Sequence, residues 1–429
     1  MGLPGGRCPY LCCCACHVLQ LVAQELPGQG RGLLANAAVR KGEPLLAVPE
    51  QLVISPQTAA AESCLSPVLS QQRQQLSDWS LLALFLAEQL YLCKEAASSS
   101  SSSSSVWAPY IAVLPRSPIG TVLDWTQEEV DTLLAGSGLA STAGLIRGGA
   151  DLLWEDLQPL LAAAKQQGLC PEGMFGRADI DWAVGICLSR SVRLDSRGGQ
   201  VVLVPFADFL NHEPSCEAFL VWDERQHAVV LRPDRDYSPG QQVIISYGPK
   251  SSGELLLSYG FCPPAGSNPH EAAHLHFSLE AGDPWLQVKR QALQQRGMSS
   301  STSFAVRIDG LPANLMPYLA FCAAQPPSAA QVEALARELF DAGHLPAVGG
   351  VGCERLALEL LARACKAALK GYRQQAEADK QLAAGVQAGG GFEQRRGLMA
   401  AVRVRERQIL SRTEFVAQQR IRQLRIMGA

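Results

Sequence analysis

The chain has 429 residues, of which 47% are hydrophobic and 18% are charged, and its formal net charge is -3. This length suits roughly two or three domains, and the composition is that of a globular protein with a large core. The near-neutral charge argues against electrostatic binding of the whole chain to nucleic acid or membrane. No apolar run reaches the roughly 18 residues that a transmembrane helix needs.

The N-terminus is rich in cysteine. Five of the 14 cysteines fall within the first 16 residues, and no convincing signal peptide precedes them. We therefore expect reduced thiols and not a disulfide framework. The cluster lacks the second spaced pair that would close a tetrahedral zinc site, so we expect residues 1–17 to form a poorly defined N-terminus.

Residues 18–54 have the pattern of short strands and turns, and a helical pattern follows. Ser77 is a candidate N-cap for a largely buried helix over 77–91, which leads to a run of eight serines at 98–105. This run has nothing to pack and predicts a disordered surface insertion. Further helical patterns at 126–137, 149–168 and 179–190 complete a helical insertion over about 75–190.

The pattern then returns to strands before a mainly helical C-terminal part. Four strand-like runs lie at 200–206, 218–222, 227–234 and 243–248. Nine arginines follow from Arg395 onward, without the interleaved aromatic residues that stack on bases. A solvated basic face is therefore favoured over nucleic-acid binding.

The segment "HEAAH" at His270–His274 matches the zinc protease pattern, which requires a helix. Pro269 precedes it, however, and the residues after His274 alternate between polar and apolar as in a strand. On a strand, positions 270 and 274 would lie roughly 13 Å apart, too far to share one zinc. We expect a strand here and no metal site.

The segment "PGQGRGLLA" partly resembles a dinucleotide-binding loop. Gly28 and Gly30 fit that pattern, but Leu33 stands where a third glycine is needed, and the pattern after the loop predicts a strand instead of a helix. By itself this segment predicts a hairpin turn whose backbone a ligand could approach closely.

Two features near the end of the strand region attract attention. Asn211 and His212 end the apolar segment "FADFLNH", and Tyr247 and Tyr259 occupy two Ser-Tyr-Gly triplets twelve residues apart. Core packing accounts for most buried tyrosines, and these residues alone do not name a reaction.

The order of the motifs supplies what single residues do not. The segments "GQGRGLLA", "VWAPYIAVLP", "LSRSV", "VPFADFLNH" and "PGQQVIISYGPKSSGELLLSYGF" occur in this order, before a helical tail. Over roughly residues 18–425, the chain resembles SET-domain methyltransferases of the Rubisco large-subunit lysine methyltransferase type. The "DFLNH" and "YGPKSSGELLLSYGF" segments are the most specific part of the likeness.

The resemblance implies an α+β fold. A β-rich SET core with a helical insertion would occupy residues 18–263, and an all-α substrate-binding lobe would occupy residues 264–429. It also implies S-adenosylmethionine as cofactor and a lysine of a protein substrate, bound through the C-terminal lobe, as methyl acceptor. The cysteine runs that close zinc sites in histone-type SET enzymes are missing, and a plastid-stroma location would suit the family.

Matching positions imply the roles of individual residues. Tyr259 and Tyr247 would be catalytic, and Asp208 and Tyr247 would line the lysine site. The cofactor would be held by Gln29, Gly30, Arg31, Arg190, Asn211 and His212. Many relatives have glutamate where Gln29 stands, and an amide cannot pair as a charge with the cofactor's ammonium group.

Two alternatives stay open at this point. A related branch of the family methylates a histidine of actin, but that branch lacks the tyrosine that Tyr259 provides here. A catalytically silent SET-type scaffold is the other alternative. The joint presence of Asn211, His212, Tyr247 and Tyr259 argues against it.

Overall fold

A computed structural model describes residues 20–72, 76–98, 105–116, 119–341, 350–372, 376–385 and 391–427. The expectations for residues 1–17 and for serines 99–104 lie outside the described residues. Among the described residues, no helix is long and apolar enough to cross a membrane.

Strands dominate the part of the chain where the sequence predicts them. The strands are β1 Leu21–Leu26, β2 Gly30–Ala35, β3 Leu46–Pro49, β4 Val192–Leu194, β5 Gln200–Val202, β6 Asn211–His212, β7 Leu220–Asp223, β8 Ala228–Leu231, β9 Gln242–Ile245, β10 Ala272–Ser278 and β11 Ser301–Arg307.

Helices occupy the insertion and most of the C-terminal part. They are α1 Pro56–Glu62, α2 Ser66–Gln72, α3 Asp78–Ser98, α4 Ala108–Val113, α5 Gln127–Leu133, α6 Leu139–Gln166, α7 Arg177–Arg190, α8 Ser252–Tyr259, α9 Leu286–Gln294, α10 Leu315–Ala323, α11 Ala329–Ala336, α12 Gly350–Tyr372, α13 Ala376–Ala384 and α14 Phe392–Met427. The α+β class expected from the sequence is confirmed.

The chain packs as two compact units. Among the described residues, those within Met1–Trp125, Gly144–Lys250 and Leu255–Ser267 form the first unit, and those within Thr126–Ala143, Ser251–Glu254 and Asn268–Ala429 form the second. The domain boundaries 18–263 and 264–429 stay a prediction.

The first unit combines small sheets with a helical core. Its largest sheet has the order β1-β2-β9-β6, a second has the order β3-β8-β7, and β4 pairs with β5. The start of α3 follows the expected capping pattern, because the Ser77 hydroxyl accepts a hydrogen bond from the Ser80 amide at 3.1 Å. Residues 81–87 of α3 are buried on every side of the helix, which makes this helix the centre of the core of the insertion.

The turn between β1 and β2 forms as the glycine-rich segment predicts. Gly28 and Gly30 have positive φ angles of 73° and 67°, which glycine adopts without steric cost. The two strands pair antiparallel from Leu21 opposite Ala35 to Leu26 opposite Gly30. The glycine-rich loop is therefore the turn of a β-hairpin and not a strand-to-helix turn.

The second unit is mainly helical, but it is not all α. Strands β10 and β11 pair antiparallel along seven residues and pack their apolar face into the helical core. His274 lies on β10, which confirms the strand that the sequence predicts after Pro269. No cluster of three or more His, Cys, Asp or Glu side chains suited to a metal occurs in the described ranges.

Candidate active site

Asn211 and His212 form the short strand β6 at the edge of the largest sheet. This strand runs parallel to β9, with Asn211 opposite Ile244 and His212 opposite Ile245. Tyr247 follows two residues after Ile245, and its amide donates a hydrogen bond to Nδ1 of His212 at 3.0 Å. The pairing of two strands distant in sequence thus brings the Asn-His pair beside the first tyrosine.

Aromatic rings connect this strand end to Tyr259. The ring of His212 stacks on that of Tyr247, with centroids 5.0 Å apart, and Tyr247 stacks on Tyr259 at 4.8 Å. Phe261 packs its edge near the rings of His212 and Tyr259, at 6.4 Å and 6.3 Å. Residues up to 49 positions apart in the sequence therefore form one continuous aromatic wall.

The two phenols differ in their hydrogen bonding. The Tyr247 hydroxyl donates to the Leu210 carbonyl at 2.7 Å, so it faces any incoming group as an acceptor. Burial raises the pKa of Tyr259 to about 12, and burial together with the neighbouring Tyr259 raises that of Tyr247 further. Both phenols are therefore protonated throughout the physiological pH range.

A buried ion pair of Arg190 and Asp208 interacts electrostatically with Tyr247. The Asp208 carboxylate accepts hydrogen bonds through Oδ2 from Arg190 Nη1 and from the Tyr110 hydroxyl, each at 3.0 Å. Burial raises the pKa of Asp208, and Arg190 opposes this rise. The other oxygen, Oδ1, is buried without a hydrogen-bond partner among the described residues.

The conformation before this ion pair is unusual. Phe206 has a φ angle of 70°, in the region that costs a side chain steric strain. A 3-10 turn over Ala207–Phe209 follows directly and leads into β6. The turn contains Asp208 and directs the backbone into the strand that begins at Asn211.

Arg31 links the glycine-rich hairpin to the same region. Its guanidinium lies 4.8 Å from the ring centroid of Phe209 and contacts the carbonyl oxygen of Val113. Its backbone carbonyl accepts a hydrogen bond from the Asn211 side-chain amide at 3.3 Å. The loop and the end of β6 are therefore joined directly.

These elements surround a cavity of about 960 Å³ within the first unit. All residues that the sequence proposes for the site line it, and they are Gln29, Gly30, Arg31, Arg190, Asp208, Asn211, His212, Tyr247 and Tyr259. The size is at the upper end of the range typical of small-molecule and cofactor sites. The convergence expected of these distant segments is therefore present.

Some residues of the site could not be predicted from the sequence. Tyr110 supports Asp208 from α4, 98 positions earlier, and Phe261 closes the aromatic wall just after α8. Glu25 also lines the cavity and lies 3.6 Å from Arg31. The apolar sequence around Tyr110 has no feature that distinguishes it from ordinary core. Only the folded structure shows that Tyr110 contacts Asp208.

Comparison with known families settles the family. A model of the SET domain matches residues 30–248, just over half of the chain. The chain belongs to the SET-domain family. A second model, described as the Rubisco LSMT substrate-binding domain, matches residues 280–410 of this SET-domain protein. The resemblance drawn from the sequence is confirmed.

Individual relatives agree with this assignment. The SET-domain chain is 29% identical over 417 residues to [fructose-bisphosphate aldolase]-lysine N-methyltransferase, chloroplastic, of Arabidopsis thaliana, covering 93% of this chain and 79% of the relative. It is 27% identical to the ribulose-1,5-bisphosphate carboxylase/oxygenase large subunit N-methyltransferase, chloroplastic, of Pisum sativum, with 91% and 77% covered.

A solved structure is similar along nearly the whole chain. The crystal structure of the SET domain of LSMT bound to lysine and AdoHcy superimposes with a TM-score of 0.75 at 25% identity. The match covers 94% of this chain and 88% of that one.

Proposed function

We propose that this SET-domain protein is a protein-lysine N-methyltransferase that uses S-adenosylmethionine as methyl donor. The observation that carries the proposal is the convergence of the Asn211-His212 strand end, Tyr247 and Tyr259 around one cavity. The Arabidopsis relative, which matches over 93% of this chain, is named as a lysine N-methyltransferase, and the similar solved structure of LSMT is bound to lysine. Both favour lysine over the histidine alternative.

The residues that surround the cavity fit such a cofactor. A Cβ atom built on Gly28 or Gly30 meets no atom within 4 Å, so the glycine turn leaves room for a ligand against its backbone. We assign Gln29, Gly30 and Arg31 to one side of the cofactor and Asn211 and His212 to the other, where their polar groups suit its amino-acid and adenine parts. Arg190 completes this set beside Asp208.

The chemistry requires a neutral amine. Bound S-adenosylmethionine supplies a methyl group on a positively charged sulfur, which an uncharged lysine can attack in a straight line. At pH 7.4, deprotonating a lysine with the reference pKa of about 10.4 costs roughly 4 kcal/mol. The aromatic wall of Tyr247, Tyr259 and Phe261 lowers that cost, because an apolar surrounding disfavours the ammonium form.

The two phenols then orient the neutral amine, and the buried carboxylate contacts the lysine before it is deprotonated. The hydroxyls of Tyr247 and Tyr259 can each accept an N–H of the lysine, which leaves its lone pair free to point at the methyl group. Asp208 can accept a third N–H through Oδ1 only while the lysine is still an ammonium, before it loses its proton. Arg190 and Tyr110 hold the other oxygen of Asp208. Tyr259 is the residue that we assign to catalysis together with Tyr247.

The relatives support a protein substrate and a plastid location. We assign substrate binding to the second, mainly helical unit, because the match to a substrate-binding domain falls within it. The chloroplastic relatives support a plastid location for this chain, and we place it in the stroma.

Two measurements test the function. Calorimetric titration with S-adenosylmethionine separates an enzyme from a silent scaffold, because a scaffold would give no binding heat. Incubation of the protein with plastid extract and methyl-labelled cofactor, followed by mass spectrometry of the labelled band, identifies the modified residue. Label on histidine alone would reject the lysine assignment.

A further inference from the structure

A basic groove lies on the second unit, which contains none of the residues assigned to catalysis. It has a volume of about 450 Å³ and is lined by Glu359, Ala362, Arg363, Gln418, Ile421, Arg422 and Arg425. The first three of these residues belong to α12 and the other four to α14. Three guanidinium groups therefore face a space large enough for only a few side chains.

The single carboxylate in the lining is already neutralised. Glu359 contacts Arg355 at 3.2 Å and Arg425 at 3.5 Å. Within the described residues, Arg363 and Arg422 are exposed and form no ion pair. The parts of the chain outside the described ranges contain no Asp or Glu that could serve as a partner. These two positive charges are thus available to a group from another molecule.

The positive charge continues along α12. Lys366 and Lys370 follow Arg363 at positions that share one face of a helix, and both are exposed without an ion pair in the described part of the chain. Other arginines of α14 have a different role, since Arg403 is buried against Asp379 at 2.6 Å and Arg420 pairs with Glu354 at 2.7 Å. The arginines of α14 therefore differ in role, and among the described residues the exposed arginines without an ion pair include the two at this groove.

We propose that the groove between α12 and α14 binds an acidic segment of the protein substrate. The planar guanidinium groups match carboxylates, which they bind through two parallel hydrogen bonds. The net charge of -3 for the whole chain disfavours binding of a long nucleic acid. The arginines of the groove are enough to neutralise two or three carboxylates of a peptide. The proposal rests on the proposed function, and it adds the chemical nature of the docking segment.

Binding of a model peptide tests the groove separately from methyl transfer. The probe is a fluorescein-labelled peptide of eight alternating Asp and Glu residues, followed by fluorescence anisotropy at 50 mM and 300 mM salt. The wild-type full chain should bind it at low salt and lose it at high salt. A peptide with Asn and Gln in place of Asp and Glu should not bind, and equal binding of both peptides would overturn the proposal.

Charge reversal locates the binding. We expect Arg363→Glu/Arg422→Glu to weaken peptide binding by roughly tenfold or more, because the complementary charge is inverted. Arg412→Glu is the matched control, since Arg412 is also exposed on α14 but does not line the groove. The milder Arg363→Gln/Arg422→Gln variant, with thermal unfolding of each protein, keeps the test valid if charge reversal impairs folding. Equal weakening by the control would reject the groove.

Further measurements separate the possible outcomes. The acidic peptide should inhibit methylation of proteins in plastid extract by the wild-type chain, but not transfer to free lysine. If a labelled twelve-residue uridine RNA binds through Arg363 and Arg422 and the acidic peptide does not, the proposal fails in favour of nucleic acid. If peptide binding holds but no lysine is methylated, the proposed function fails and the groove does not serve a methylation substrate.

Discussion

The ring of Tyr247 stacks on the ring of Tyr259, with centroids 4.8 Å apart and planes inclined by 27°. Only Tyr247 has its hydroxyl proton fixed, by the bond to the Leu210 carbonyl at 2.7 Å. The Tyr259 hydroxyl makes no hydrogen bond within the described residues and is available to a reactant. The two phenols are therefore close in space but differ in the hydrogen bonds that they can form with a reactant.

This inequality predicts the effect of removing each hydroxyl. Tyr259→Phe should reduce the rate of methyl transfer by on the order of 100-fold, because the amine loses the contact that orients it. Binding of S-adenosylmethionine should change little, since the ring and the aromatic wall stay in place. Initial rates with labelled cofactor, together with calorimetry, measure both quantities.

Tyr247→Phe is the matched comparison for Tyr259→Phe. It removes a hydroxyl from the neighbouring ring and also releases the Leu210 carbonyl, so we expect a loss of thermal stability in addition to a lower rate. Wild-type turnover of the Tyr259→Phe variant would exclude Tyr259 from catalysis.

Much of this site could be predicted from the sequence because its residues lie in compact motifs. Asn211, His212, Tyr247 and Tyr259 stand in two segments whose order and spacing are specific to one family. Tyr110 could not be predicted in this way, because its role depends on one contact across 98 positions, from an apolar segment that resembles ordinary core.

The same limit applies to helix faces in the second unit. Val402, Ile409 and Val416 recur every seven residues, and this spacing predicts one buried face. The first two are buried, but Val416 is 52% exposed and Ala417 is buried instead. A straight helix drifts about 20° per seven residues, so the buried face passes to the next position.

Tyr110 also provides a test of how Asp208 is held. Tyr110→Phe removes one of the two hydrogen bonds to Oδ2 and should raise the pKa of Asp208 further, because a donor to the charged form is lost. We expect a loss of roughly tenfold in kcat/KM, near the lower end of the about 1.5–3 kcal/mol typical of a hydrogen bond to a charged group. The acid side of the pH–rate profile should move to higher pH.

Tyr318→Phe is the control for a purely structural effect. Tyr318 is fully buried in the second unit, where its hydroxyl donates to the Ser299 carbonyl at 3.3 Å. It should lower thermal stability without moving the pH–rate profile. If the Tyr110→Phe profile is also unmoved, Tyr110 does not act through Asp208.

We expect substitution of Gln29 by glutamate to increase the affinity for the cofactor. Gln29 is exposed at the glycine turn and lines the cavity, so Gln29→Glu would add a negative charge close to the region that we assign to the cofactor. We expect binding of S-adenosylmethionine to become tighter by roughly fivefold at low salt, the scale of an exposed ion pair. Methylthioadenosine lacks the amino-acid part and its ammonium group, so its affinity should not improve. Equal gains for both ligands would show that the added charge does not pair with the ammonium.

We expect the buried carboxyl of Glu406 to make the stability of the second unit depend on pH. This carboxyl is buried on α14, accepts hydrogen bonds from the Ser137 hydroxyl at 3.0 and 3.2 Å, and contacts the Tyr372 hydroxyl. Burial raises its pKa to about 7, although the hydrogen bonds from Tyr372 and Ser137 and the charge of Arg403 oppose the rise. Its stabilising contribution is therefore complete below the unfolded pKa of about 4.3 and is lost as the pH rises through about 7.

Glu406→Gln removes this titration while keeping the shape of the side chain. Relative to wild type, the variant should gain roughly 1 kcal/mol in the free energy of unfolding between pH 6 and pH 8.5, because only the wild type must ionise a buried group. Denaturant unfolding at both pH values measures the change, and Glu393→Gln, on the exposed start of the same helix, is the control. A stability difference that is the same at both pH values would mean that Glu406 does not titrate in this range.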